Sequence, residues 1–191
     1  MVFARYVMFS EVYWHKTVRS ATSMLQRIIY DRRDDPSILQ QLLKSTESEF
    51  QSIILAADTT GIAEDRFGRR RSLYKSIYET NARQDIEVYD VARHHNFAGL
   101  ASCSARLAGQ LGLEAQQVII DAAPQQLEVQ FNINVVDENT GNKHALPNVS
   151  PVVNALATDE FDHHIKRLRV FVPEQYRDLT IDRQILLNSL A

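Results

Sequence analysis

Apolar residues recur at helical spacing from the front of the chain to about residue 30. They would share one side of a helix: Val7, Trp14, Val18, Ala21, Leu25 and Ile28. No Ser, Thr, Asp or Asn precedes this run as a start signal. The run DRRDDP ends it, because Pro36 and the residue before it disfavour helix continuation. The pattern therefore predicts a long first helix, and its missing start signal suggests a chain cut from a longer helical domain.

Further periodic segments predict more helices before residue 115. They cover residues 37–56, the run RRRSLYKSIYE, and residues 85–111 with a break near Gly99. The run TTGIAEDRFG between the first two is predicted as a loop. Gly112 follows the last helix as a C-cap.

The character of the chain then changes to that of a sheet. Apolar residues alternate with polar ones in Leu127–Val135 and again in Lys166–Val172, as in strands with two different faces. Residues 118–121 form a short apolar run, and DENTGNK has the composition of a turn. Helices first and strands afterwards predict an α+β fold, with a mostly helical part over 1–114 and a small antiparallel sheet region over 115–191.

Composition removes several classes of function. The 191 residues include 45% hydrophobic and 24% charged residues, as in a globular protein, and no apolar run is long enough for a membrane span. The formal net charge of -3 gives no overall attraction to nucleic acid, which is not expected as a partner. The single cysteine, Cys103, excludes an internal disulfide and suits a reducing compartment, so we expect a cytoplasmic protein without a membrane partner.

Two basic clusters suggest an anionic ligand. On the first helix, Lys16 and Arg19 lie on the same side as Arg5, beside an aromatic edge. In the run RRRSLYK, Arg71 and Lys75 would be neighbours on a helix face and could hold a phosphate. From the residues alone, an ordinary solvated helix face with cationic side chains over apolar surface explains each cluster as well.

Three segments, in order, resemble HD-superfamily phosphohydrolases of the branch that contains the deoxynucleoside-triphosphate triphosphohydrolases. ARYVMFSEVYWHKTVR, residues 4–19, is similar to the family segment A-R-x-x-M-x-x-x-V-Y-x-H-K-x-x-R. RSLYK, residues 71–75, resembles a second segment. The run from IIDAAP at 119–124 through KRLRVFVPE at 166–174 resembles the C-terminal β region. The resemblance covers nearly the whole chain and implies an HD-domain-like helical remainder followed by this region.

The resemblance implies ligand-binding roles for six residues. The positions near the phosphate and sugar of the substrate correspond to Arg5 and Tyr13. The positions that contact activating nucleotides in regulated members of the family correspond to His15, Lys16, Arg71 and Lys75. Because such sites lie where subunits meet, a homo-oligomer is expected.

The metal ligands that name the family are missing. They form a His…His-Asp…Asp set upstream of the first matched segment, and no His-Asp dipeptide occurs in this chain. Asp159 and His163 have the spacing of two ligands on a helix, but no third ligand accompanies them. We therefore expect no metal site and no cofactor in this chain, and a divalent metal only in a complete enzyme.

Two functions stay open. The first is the C-terminal portion of a metal-dependent phosphohydrolase that acts on a nucleotide or another phosphate ester. In that case the chain would lack the metal-binding half and be inactive by itself. The second is a stand-alone, non-catalytic nucleotide-binding or oligomerisation module.

Overall fold

Helices and two small sheets make up the part of the protein that the structure describes. The computed structural model describes residues 4, 7–123, 133–137, 140–157 and 165–191. Its helices are a π-helical turn at Phe9–Tyr13, α1 at Lys16–Asp31, α2 at Pro36–Lys44, α3 at Glu47–Ala57, α4 at Ile62–Phe67, α5 at Ile86–Arg93, α6 at Phe97–Leu111, α7 at Leu146–Val149, α8 at Pro151–Ala157 and α9 at Arg183–Leu190. Its strands are β1 at Lys75–Thr80, β2 at Ile119–Asp121, β3 at Asn134–Val136, β4 at Lys143–Ala145 and β5 at Leu168–Val172. Short 3₁₀ turns lie at Ala115–Gln117 and Glu174–Tyr176. The predicted α+β fold is confirmed.

The larger sheet is antiparallel, with β5 between β1 and β2. Lys75 lies opposite Val172 in the β1–β5 pair, and Ile119 lies opposite Phe171 in the β2–β5 pair. All five residues of β5 are buried. A central strand covered on both faces has this property, whereas an edge strand does not.

Each face of this sheet packs against its own group of helices. Leu168, Val170 and Val172 point into a core that also contains residues of α5, α6 and α9. Phe171 points the other way, into a core with residues of α1, α3 and α4. The predicted alternation along β5 is therefore confirmed, and Arg169, two residues from Phe171, lies on the same side of the strand as Phe171.

The first helix is shorter than predicted. A π-helical turn precedes it and ends at Trp14, and α1 begins at Lys16 with His15 as its N-cap. The Thr17 N–H donates to His15 Nδ1 at 3.3 Å, which satisfies one of the free donors at the helix start. The start signal exists, but it is a histidine.

The predicted helix over RRRSLYKSIYE is wrong. Arg71 precedes regular structure, and Lys75 begins strand β1, with a register shift between Ser76 and Tyr78. Six residues with Ile, Tyr and Thr among them pair readily with a neighbouring strand, and pairing with β5 decides the outcome.

Two other boundaries also differ from the prediction. The predicted loop contains α4, whose start is fixed by Asp58, which accepts the Ala63 N–H at 2.7 Å. The predicted helix 37–56 is two helices, because Thr46 and Glu49 form a capping box that starts α3. The break between α5 and α6 and the C-cap at Gly112 are confirmed.

The expected helix-covered strand at Leu127–Val135 is not observed where the structure describes it. Residues 127–132 lie outside the described residues. Ile133, directly before β3, is 53% exposed, and Val135, in β3, is also exposed. For these two residues the prediction of a buried apolar face is wrong, because β3 pairs only with β4 in the described part of the chain and the short helix α7 beside them does not cover their side chains. The predicted division of the chain into 1–114 and 115–191 stays a prediction. The larger sheet contains β1 from the first part and β2 and β5 from the second.

Candidate functional site

One cleft brings together three of the cations singled out in the sequence. It has a volume of about 550 Å³, and we call it the Arg71 cleft. Its lining consists of Lys16, Thr17, Arg71, Leu73, Tyr74, Lys75, Ser76 and Phe171. Among the residues that the structure describes, this lining contains three Lys or Arg residues and no Asp or Glu.

Three different elements supply these cations. Lys16 is the first residue of α1, Arg71 lies in the segment before β1, and Lys75 is the first residue of β1. Arg71 and Lys75 were predicted as neighbours on a helix, and that geometry is wrong. The fold nevertheless places both beside Lys16, because α1 packs on the face of the sheet that carries Phe171, next to the start of β1.

The Arg71 cleft has a positive potential that is only partly compensated. Lys75 has an acidic neighbour, Glu174 Oε1, at 3.5 Å from Nζ. Within the described part of the chain, neither Lys16 nor Arg71 has an acidic partner within 4 Å. The N-terminus of the 16-residue helix α1 adds the positive end of its dipole.

A further arginine lies near this cleft. Burial, and then the positive charge of Arg71, lower the pKa of Arg66 below its ordinary value. The Arg66 guanidinium donates to the Ala21 carbonyl of α1 at 2.6 Å and lies over the Phe67 ring. Arg66 thus adds positive charge near Arg71, and its hydrogen bond to Ala21 holds the helix that carries Lys16.

The floor of the Arg71 cleft is apolar and fixed. Tyr74 and Phe171 are buried, and the Tyr74 hydroxyl donates to the Gln116 carbonyl at 3.3 Å. Burial raises the pKa of Tyr74, so the phenol stays protonated at any physiological pH. Ser20 of α1 donates to the Tyr74 carbonyl at 2.7 Å, which ties the helix to this floor. Charged walls over a rigid aromatic floor suit a phosphate-bearing ligand.

The other sequence-predicted residues do not line this cleft. Arg5 lies outside the described residues. Tyr13 is exposed on the π-helical turn and packs against the Phe9 ring, with 5.1 Å between centroids. His15 caps α1 and faces a second cleft.

The second cleft adjoins the first, because Lys16 lines both. It has a volume of about 500 Å³, and we call it the Arg167 cleft. Its lining consists of Ser10, Glu11, Trp14, His15, Lys16, Glu79, Asn81, Gln84, Ile165, Arg167 and Arg169. The sequence pattern placed Arg167 and Arg169 on one face of the predicted strand Lys166–Val172 but gave them no function, and the observed β5 contains only Arg169. The signal that could have singled them out is a charge at two alternate positions of an otherwise apolar strand.

No metal centre occurs in the parts of the chain that the structure describes. There, no three His, Cys, Asp or Glu side chains lie close enough together to hold a metal ion. His94 and His95 each face a backbone carbonyl, of Asp90 and Leu190 respectively. The described residues thus offer no set of ligands for the divalent metal, which the resemblance implies only for a complete enzyme. Asp159 and His163 lie outside the described residues.

The sequence matches one protein family over nearly its whole length. A family model described as "HD associated region" matches residues 1–186, so the chain belongs to this family and is related to HD-domain proteins. No curated protein is significantly similar to the sequence.

A solved structure shares the fold. It is a hypothetical protein from Aquifex aeolicus, 17% identical in sequence, which aligns with a TM-score of 0.58. The alignment covers 100% of this chain and 43% of the other, so this chain spans less than half the length of that protein. None of the helices in the described ranges combines the length and the apolar character needed to cross a bilayer.

Proposed function

We propose that this chain is the phosphate-binding portion of an HD-family phosphohydrolase that acts on a nucleotide or another phosphate ester. The observation that supports the proposal is the Arg71 cleft, in which three cations surround an apolar floor and the described lining residues include no carboxylate. Family membership supplies the reaction class, since HD-related proteins include phosphohydrolases. The resemblance to the deoxynucleoside-triphosphate branch narrows the ligand to a triphosphate.

In this proposal the cations divide the work. Arg71 binds phosphate oxygens through its planar fork, while Lys16 and Lys75 act as point charges beside it. The metal ligands lie outside this chain, and the metal would activate water in the complete enzyme. Arg5 and Tyr13 keep their proposed places near substrate phosphate and sugar. The chain alone then binds but does not hydrolyse.

The expected affinity is low. Charge-assisted hydrogen bonds contribute about 1.5–3 kcal/mol each. Immobilising a ligand costs at least about 4 kcal/mol. Three such bonds leave at most about 5 kcal/mol, so we expect a dissociation constant that is at best a few tenths of a millimolar. A neighbouring subunit of a homo-oligomer would add contacts and tighten binding.

A calorimetric titration with deoxynucleoside triphosphates tests the site. Arg71→Ala and Lys75→Ala should each weaken binding about tenfold or more, because each removes a charge-assisted bond. Arg70→Ala is the matched control, since Arg70 is an exposed neighbour that does not line the cleft. Equal loss in all three variants would mean diffuse charge attraction, and no binding at millimolar ligand would contradict the proposal. Light scattering during the titration reports whether the ligand drives oligomerisation.

A second candidate is a stand-alone, non-catalytic nucleotide-binding or oligomerisation module. The favouring observation is that three cations from separate elements of this chain line one cleft. Phosphate release from triphosphates in the presence of Mn²⁺ discriminates the two. Hydrolysis by the chain joined to an HD-bearing segment, with none by the chain alone, supports the first proposal. Binding without hydrolysis in both forms supports the second.

A further inference from the structure

Arg169 has an unusual environment for an arginine. It is only 4% exposed at the centre of the sheet, and its Nε donates to Glu79 Oε2 at 2.6 Å. Within the described part of the chain its Nη1 is buried without any hydrogen-bond partner. A buried guanidinium donor without an acceptor costs free energy, and such groups call for a specific explanation.

Glu79 is the acceptor that links Arg169 of β5 with Arg167, the residue directly before this strand. Its second oxygen accepts from Arg167, so one carboxylate bridges two guanidinium groups. Burial by itself would raise the pKa of Glu79, but the hydrogen bonds and charges of Arg169 and Arg167 outweigh it and lower the pKa. Glu79 is therefore ionised near neutral pH, and it occupies a position that an external anion would otherwise take.

The positive charge of the residues that line this cleft is larger than the negative charge of the Glu79 carboxylate. Among the described residues, Lys16, Arg167 and Arg169 line the Arg167 cleft together with two carboxylates, those of Glu79 and Glu11. Asn81 also lines it, and its Oδ1 already accepts the backbone N–H groups of residues 83 and 84, both at 3.0 Å. Its amide NH₂ is the group left to donate.

We propose that the Arg167 cleft is a second phosphate site, distinct from the Arg71 cleft. A phosphate group displaces the Glu79 carboxylate from the two arginines and accepts from Arg169 Nη1, Arg167 and the Asn81 amide. A phosphate suits this set better than a carboxylate, because it offers more acceptor oxygens and a second negative charge to convergent donors. Glu79 is an internal competitor that keeps the affinity low.

The test is a titration of the chain with inorganic phosphate, followed through the backbone amide signals of Asn81, Gln84 and Arg169. Glu79→Gln removes the competing charge and should tighten phosphate binding at least about fivefold. Arg167→Gln should weaken it by a similar factor. Arg71→Ala, which alters only the other cleft, should leave these signals and the midpoint of their titration unchanged. The result for the Arg167 cleft therefore does not depend on whether the proposed function of the Arg71 cleft is right.

Several outcomes would overturn the proposal. If Glu79→Gln keeps its native spectrum yet binds phosphate no more tightly, the bridge is purely structural. If Glu79→Gln unfolds, the phosphate titration of Arg167→Gln tests the proposal instead. This variant should stay folded, since Arg167 is partly exposed and its replacement leaves the Arg169–Glu79 pair in place. Unchanged phosphate binding in that variant, or shifts spread over the whole basic surface, would leave an adventitious ion only.

Discussion

At the scale of single residues, one buried ion pair fixes the helix that carries Lys16. Arg19 of α1 forms two hydrogen bonds with Asp121 of β2, at 2.5 and 2.9 Å, and Asp121 is buried. The same guanidinium lies 4.6 Å from the centre of the Trp14 ring. The pair thus links the start of α1, its preceding turn and the sheet.

We predict that Asp121→Asn lowers the free energy of unfolding by about 3–5 kcal/mol. The substitution leaves the largely buried Arg19 guanidinium without its countercharge, which costs more than the pair itself contributes. Urea denaturation followed by circular dichroism measures the change. The control is Asp34→Asn, which removes an 86% exposed carboxylate 3.5 Å from Arg33 and should cost less than about 1 kcal/mol. Equal losses in both variants would contradict this account.

Sequence reasoning found part of the site at this scale. Lys16, Arg71 and Lys75 came from the resemblance together with the local charge pattern, and the fold brings all three to one cleft. Phe171 was not predicted, since it lies about a hundred residues from Arg71 and reaches the floor only through the β1–β5 pairing. Long-range register cannot be read from a local pattern.

At the scale of elements, the C-cap of α6 sets the turn toward β2. Gly112 has a φ of +69°, in the left-handed region, and the Leu113 N–H donates to the Ala108 carbonyl at 2.9 Å. A residue with a Cβ is strained in this conformation, whatever the open space around it.

We predict opposite effects for two alanine substitutions three residues apart. Gly112→Ala should destabilise by about 1 kcal/mol, because alanine disfavours the left-handed conformation. Gly109→Ala should stabilise by roughly 0.5–1 kcal/mol, since Gly109 lies in the interior of α6 and an added methyl group would meet no atom within 4 Å. The measurement is the midpoint temperature of thermal unfolding of both variants relative to the wild type. A change of the same sign in both would contradict the assignment of Gly112 as the C-cap.

The ion pairs between β1 and β5 make stability depend on acid. The folded pKa of Glu79 lies below its ordinary value, so its stabilisation is complete above about pH 4.3–4.5 and is lost as the pH falls through the folded pKa. Glu79→Gln should therefore lose less stability than the wild type between about pH 6 and pH 3. Glu47→Gln, at an exposed residue without an ion pair in the described part of the chain, is the control and should follow the wild-type curve. Parallel curves for all three proteins would rule out a role for the Glu79 pairs.

Elements with a strong pattern of their own were predictable from sequence. Strand β5 and the break before α6 were found, because alternation and capping residues mark them locally. Strand β1 was missed, since its identity depends on pairing with β5, and α4 was missed because a six-residue helix has too few periodic positions.

At the scale of the whole molecule, the sheet joins segments that lie far apart along the chain. Strand β1 pairs with β5 over about ninety intervening residues, and α1 packs on the face that carries Phe171. This arrangement converts three separate basic positions into one cleft. The order of these residues along the chain does not show that Lys16, Arg71 and Lys75 come together in the folded protein.

The most direct test of the central claim is a ¹H–¹⁵N NMR titration of the chain with a deoxynucleoside triphosphate. The account predicts that the amides of Thr17, Ser76 and Phe171, which line the Arg71 cleft from three elements, shift together with one midpoint. It also predicts that these shifts disappear in Arg71→Ala. Shifts concentrated instead around the exposed Arg33, or no shifts at millimolar ligand, would contradict the assignment of this cleft as a phosphate-binding site.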